Sequence, residues 1–232
     1  MLPLRDDIPA SRFPTVTVGI IVVNVLIFLQ EARMGPDLEE MLITYAVVPA
    51  RYTSPELAQH FTWAQQIFSF FSSMFLHGGW IHLLGNVWTL WIFGDNVEDR
   101  LGRTRYLMLY LASGIAAAIL HIFTNPGSVV PTIGASGAIA GVMGAYFRFY
   151  PHARVETIIP PFIFWVFRLP AVVFLGWWFI LQFLNGAMSL GARGQAAGVA
   201  WWAHVGGFLF GFVICLYAKK ATEPRRTTYI DV

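Results

Sequence analysis

Ser136 lies in "PTIGASGAIAGVMGAYF", flanked by glycine and alanine in a stretch without any charge. Two readings are open for it. Gly137 and Gly141 form a GxxxG pair, which lets helix backbones approach closely whatever the serine does; or the serine is a nucleophile held where little water reaches. His204, in "WWAHVGGFLFGF", is of the type that takes a serine proton as general base, and Gly207 and Gly211 on the same helical face leave room for another helix. His82 and Asn86, in "HGGWIHLLGNVW", stand four residues apart and share one helical face. Alone, such a pair reads as hydrogen-bonding glue between membrane helices. Beside a serine and a base, both are typed to donate to the oxyanion of a tetrahedral intermediate.

A hydroxyl with a histidine in reach is the minimum for nucleophilic acyl transfer. No Asp or Glu occurs between Arg100 and Arg154 or between Thr157 and Thr222, so a triad would have to recruit its acid from elsewhere. A Ser136–His204 dyad is the simpler expectation, with Asn86, His82 and the Ser136 backbone N–H as oxyanion donors.

These residues need elements to carry them. The 232-residue chain is 56% hydrophobic and 12% charged, with a mean hydropathy of +0.60, which places it in a bilayer. Its charge-free runs predict an all-α, polytopic six-helix bundle in one domain over residues 1–232, with spans near 13–30, 79–94, 106–124, 133–149, 171–190 and 201–218. "LAQHFTWAQQIFSFF", polar and aromatic, suits the membrane surface. The first run is kept as a helix rather than a signal peptide, because Asp6 and Asp7 follow Arg5 and "LQEARMG" offers no convincing small-x-small cleavage site.

Orientation follows the basic residues. With a cytoplasmic N-terminus that side receives Arg5, Arg12, Arg100, Arg103, Arg105, Arg148, Arg154, Arg168, Lys219, Lys220, Arg225 and Arg226, leaving Arg33, Arg51 and Arg193 outside. Both termini are then cytoplasmic, and the basic residues are topology signals rather than a nucleic-acid footprint. Ser136 falls roughly 17 Å from the cytoplasmic end at about 1.5 Å per residue. His204 and His82 fall at the same level, in the outer half of the bilayer. Cys215 stands alone, which leaves no internal disulfide or thiolate metal site and reads as packing. No cofactor or metal is expected.

"GASG" with Ser136, "AHVGG" with His204, "HLLGN" with His82 and Asn86, and "GDNVEDRLG" together resemble the rhomboid family of intramembrane serine proteases, over nearly the whole chain. The resemblance implies hydrolysis of peptide bonds in or beside transmembrane segments of single-span or other membrane proteins, with Ser136 as nucleophile, His204 as general base, and Asn86 and His82 as oxyanion donors. His77 matches a further histidine often found in the family. Two positions depart from the pattern. Ala140 stands where many rhomboids have a tyrosine against the catalytic histidine, and Phe68-Ser69 where many have Trp-Arg. The bulky fifth span predicts substrate entry from the lipid beside it, by movement of that helix or of the loop 191–199. The rival readings are a catalytically inactive relative that binds membrane clients, and a small transporter. Against the transporter, the inner halves of the spans carry little ionisable lining. Substrate identity and oligomeric state are not legible.

Overall fold

The computed structural model describes residues 1–191 and 199–218. Arg193, most of the loop 191–199 and the basic cluster Lys219, Lys220, Arg225 and Arg226 lie outside the described residues. A strand β1 (Leu2–Asp6) leads into α1 (Thr15–Glu31), followed by the short helices α2 (Leu38–Tyr45), α3 (Ala50–Thr53), α4 (Pro55–Ala58) and α5 (Trp63–Ser72). The long helices α6 (Trp80–Leu101), α7 (Arg103–Thr124) and α8 (Ser136–Phe149) come next; a hairpin of β2 (Arg154–Ile159) and β3 (Phe162–Pro170) then precedes α9 (Ala171–Gly191) and α10 (Trp201–Leu216). The chain is a multi-pass membrane helical bundle in which α7 and α9 are each long and apolar enough to cross a bilayer alone.

Glycine sets the breaks. The α5 segment, whose Thr62 and Gln65 form a capping box, meets α6 at a bend of 81°. Gly79 and Gly102, both at positive φ, bound α6, so α6 runs antiparallel to α7 through a single linking residue. The acidic "GDNVEDRLG" segment closes this end of the bundle. The Glu98 carboxylate accepts from the backbone N–H of Val16 and Thr17 and from the Thr17 hydroxyl, satisfying donors that the first turn of α1 leaves free. Asp99 accepts from Ser11.

At the centre is α8, where every residue from Gly137 to Tyr146 is buried. It packs against α6, α7 and α10, and α10 lies closest: a Cβ at Gly207 would overlap the Gly137 carbonyl, and one at Gly211 the Gly141 carbonyl. With its 14 residues α8 is about 20 Å long at 1.5 Å per residue, short of the roughly 30 Å hydrocarbon core. The helix begins at Ser136 itself, later than the 133–149 span read from the sequence. Gly134 takes a φ of +118°, and a Cβ there would sit 2.6 Å from His82 Nε2, so the chain enters the helix only after that turn.

A small three-stranded antiparallel sheet, in order β1-β2-β3, accompanies the helical bundle. The indole N–H of Trp88, near the middle of α6, donates to the Pro3 carbonyl at 2.6 Å, so β1 lies against that helix. Asp6 accepts from Asn96 at 2.8 Å and from the Tyr146 hydroxyl, joining β1 to α6 and α8. Burial, with the Asp7 charge adding to it, raises the Asp6 carboxyl to about 6 against the pull of the Tyr146 hydrogen bond.

Candidate active site

Ser136 opens α8 and His204 lies in the first turn of α10, two elements brought together by the glycine contact just described. Ser136 Oγ and His204 Nε2 are 2.8 Å apart, a full-strength hydrogen-bond distance. Because Ser136 is the first residue of its helix, its own N–H has no intrahelical acceptor.

The approach to Ser136 is fixed by backbone pairing rather than by side chains. Val47 and Thr132 exchange two hydrogen bonds, at 3.3 and 2.7 Å. Ala50 N–H donates to the Ser128 carbonyl, and Gly134 N–H to the Ser73 carbonyl, both at 2.9 Å. The 31–79 connection therefore holds the turn that leads into Ser136. Within it Arg51, 2% exposed, donates to the carbonyls of Ile43, Thr44 and Ala46 and stacks at 3.7 Å on the Phe61 ring. An arginine thus braces this connection, 18 positions before Ser69. Ser69 is buried and bonded to the Gln66 carbonyl and the Tyr52 hydroxyl, while Phe68 stays exposed.

Asn86 and His82 reach the same place from α6. The Asn86 Nδ2 is buried and, among the described residues, has no hydrogen-bond partner, where a polar group should not be left unpaired. Gly78 N–H lies 3.4 Å from His82 Nδ1, a long donation that needs an unprotonated Nδ1 and so places the ring hydrogen on Nε2. His77 stands behind, its ring edge-on to that of His82 at 5.2 Å and its N–H donating to the Glu31 carboxylate at 3.1 Å. A cavity of about 540 Å³ opens beside these residues, lined among others by Gly78, His82, Ile133, Trp201 and Trp202. His82 is the member of the group that reaches it.

Two neighbours of His204 were not anticipated. His204 Nδ1 is 2.8 Å from Oε1 of Gln182 on α9, and the Trp178 ring lies 5.8 Å away at an interplanar angle of 36°. Trp178 thus lies beside the imidazole, while Ala140 is buried within α8. The signal was available: Trp178 and Gln182 stand four apart in "WWFILQF", and Gln182 is the one amide within that apolar run.

The profile of the Rhomboid domain family matches residues 64–221. The chain belongs to the rhomboid family. This rhomboid is 30% identical over 162 residues to rhomboid protein 1, mitochondrial, of Saccharomyces cerevisiae, covering 68% of this chain and 44% of that protein. It is 27% identical over 223 residues to the human presenilin-associated rhomboid-like protein, mitochondrial, covering 94% of this chain and 52% of that one. To rhomboid-like protease 5 of Toxoplasma gondii it is 35% identical over 144 residues, 60% of this chain and 15% of that protein. The rhomboid spans about half, or less, of the length of these relatives.

Proposed function

We propose that this rhomboid is an intramembrane serine endopeptidase that cleaves transmembrane segments of other membrane proteins through Ser136 and His204. The observation that carries the reading is the 2.8 Å contact between Ser136 Oγ and His204 Nε2. Ser136 Oγ attacks the scissile carbonyl while its proton passes to Nε2. The oxyanion so formed takes hydrogen bonds from Asn86 Nδ2–H, His82 Nε2–H and the Ser136 N–H, of which Asn86 Nδ2–H is free to donate because it has no partner among the described residues. The imidazolium then returns the proton from Nε2 to the leaving amine as the C–N bond breaks, and a water repeats the sequence on the acyl-enzyme. The cavity lined by His82 is the proposed route for that water.

In the bilayer, α1 and α6 to α10 are six spans, with both termini cytoplasmic and the Ser136 end in the outer half of a cell membrane. A catalytically inactive, client-binding rhomboid would have no use for a hydrogen-bonded Ser–His pair beside unpaired donors.

The test is incubation of the purified protein with a panel of single-span membrane proteins, beside Ser136→Ala. Cleavage by the wild type alone is expected. Cleavage that survives Ser136→Ala would remove Ser136 from the reaction.

A further inference from the structure

We infer that Gln182 is the positioning residue for His204 and that, because it rides on α9, the base keeps its working tautomer only while α9 is seated against α10. The inference rests on the Ser136–His204 reading and concerns what the dyad lacks. An imidazole that accepts a proton at Nε2 must carry its own hydrogen at Nδ1, and a hydrogen buried there needs an acceptor. The Gln182 side-chain oxygen, which only accepts, lies 2.8 Å from Nδ1. Gln182 is 7% exposed, so water does not compete for the bond.

An amide in this place differs from a carboxylate in two ways. It fixes the tautomer without burying a charge in the bilayer, where an ionised group needs a partner or a wet cavity. It also gives the imidazolium no counter-charge, so it orients the base without making it more basic. The groups around His204 carry no fixed charge: His82 from α6, His121 from α7, Ser136 from α8, and Trp178 and Gln182 from α9.

The mechanical part follows from how α9 is held. Its first turns are clamped, with Ala171, Phe174 and Leu175 buried and the Phe174 ring stacked near Phe93. Its outer half is lipid-facing, with Leu184, Met188 and Leu190 exposed. Among the described residues, two side-chain hydrogen bonds tie that half to the rest of the bundle: Gln182 to His204, and the Trp202 indole N–H to the Gly186 carbonyl at 3.1 Å. A pivot of α9 about its clamped foot, in the direction that would admit a transmembrane segment, therefore withdraws the acceptor from Nδ1. The base is released while the helix is displaced and regains its tautomer when α9 reseats.

The experiment compares Gln182→Leu and Gln182→Glu with the wild type. It reads the rate of Ser136 labelling by a small fluorophosphonate, kcat and KM on a transmembrane substrate from pH 5 to 9, and the unfolding temperature. Gln182→Leu leaves Nδ1–H without an acceptor, so labelling rate and kcat should fall roughly 10- to 100-fold, as expected when a buried donor loses about 1–3 kcal/mol of hydrogen bonding, with KM unchanged. Gln182→Glu restores the acceptor and adds a charge beside the imidazole; activity should return, with the acid limb of the kcat/KM profile moved upward by about one pH unit or more. A residue that merely packs would change the unfolding temperature and leave that limb in place. Wild-type labelling rates in Gln182→Leu, or an unmoved acid limb in Gln182→Glu, would overturn the assignment. Should Gln182→Leu fail to fold, the Gln182→Glu profile decides alone. If the wild type itself shows no Ser136-dependent labelling, the dyad reading fails instead, and the two failures are told apart.

Discussion

α10 is fastened in two unlike ways on its two sides. Against α8 it meets backbone to backbone, glycine against carbonyl, at Gly207 and Gly211. Against α9 it meets ring to ring, Phe183 on Trp202 and Phe179 on Phe208, with two side-chain hydrogen bonds among the described residues. Both residues of the proposed dyad, Ser136 and His204, lie on the rigid side, and Gln182, the proposed positioning residue, lies on the loose side. Close backbone packing cannot slide by fractions of an ångström without collision, whereas a contact of bulky rings can be opened and remade. The proposed dyad is thus held by the contact that cannot slide, and the proposed gate by the one that can.

The largest effect is expected where the rigid contact is broken. Gly211→Leu places side-chain carbon on the Gly141 carbonyl, with no flexible neighbour to give way. Its cost should exceed the roughly 1–3 kcal/mol of ordinary overpacking and yield no folded protein in detergent. A stable, active Gly211→Leu would show that the α8–α10 contact is not tight.

On the loose side the informative change is a lock. A Cβ built at Gly186 lies 3.4 Å from the Trp201 Cβ, near the spacing of a disulfide. Gly186→Cys with Trp201→Cys, in a Cys215→Ser background, should when oxidised stop cleavage of transmembrane substrates, and reduction should restore it. Full cleavage under a verified cross-link would mean that α9 is not the gate.

Asn86→Ala sharpens the comparison from α6, which belongs to neither contact. The loss should be about 10²–10³ in kcat, with KM and unfolding temperature nearly unchanged, because the oxyanion exists only after attack. Full kcat with unaltered stability would return Asn86 to the role of helix glue.

The smallest effect lies at the far end of the bundle. The Asp6 carboxyl is raised to about 6 in the folded protein, above its ordinary value near 3.9, so the folded state binds the extra proton between those values. Its contribution is therefore full below about pH 4 and declines as pH rises toward 6. Asp6→Asn should remove that decline from the stability–pH curve measured by thermal unfolding. Superimposable curves would show that Asp6 is not buried as described.

Much of this was legible in the residues. Ser136, His204, His82 and Asn86 could be paired because each is a polar group in an apolar run, and helical spacing predicts which face it occupies. The sheet was hidden because "FIFWVF" in β3 is apolar on both faces, with Phe164 91% exposed and none of the alternation that marks a half-buried strand. Gln182 is hard to read from sequence because the usual third group beside a Ser–His pair is a carboxylate, and an amide in that place carries no charge to mark it. The start of α8 was misjudged because Gly134, which needs positive φ, sits inside a run whose composition reads as continuous helix. Arg51 reads from sequence as an outer-side topology signal, and its carbonyl partners appear only once the 31–79 connection folds back on itself.

The most direct test of the central claim is covalent labelling of the purified protein by a fluorophosphonate, followed by peptide mapping. The account predicts that Ser136 is modified in the wild type, with no labelling in Ser136→Ala or His204→Ala, both still folded. Modification that persists in both variants, or that maps to another serine, would contradict it.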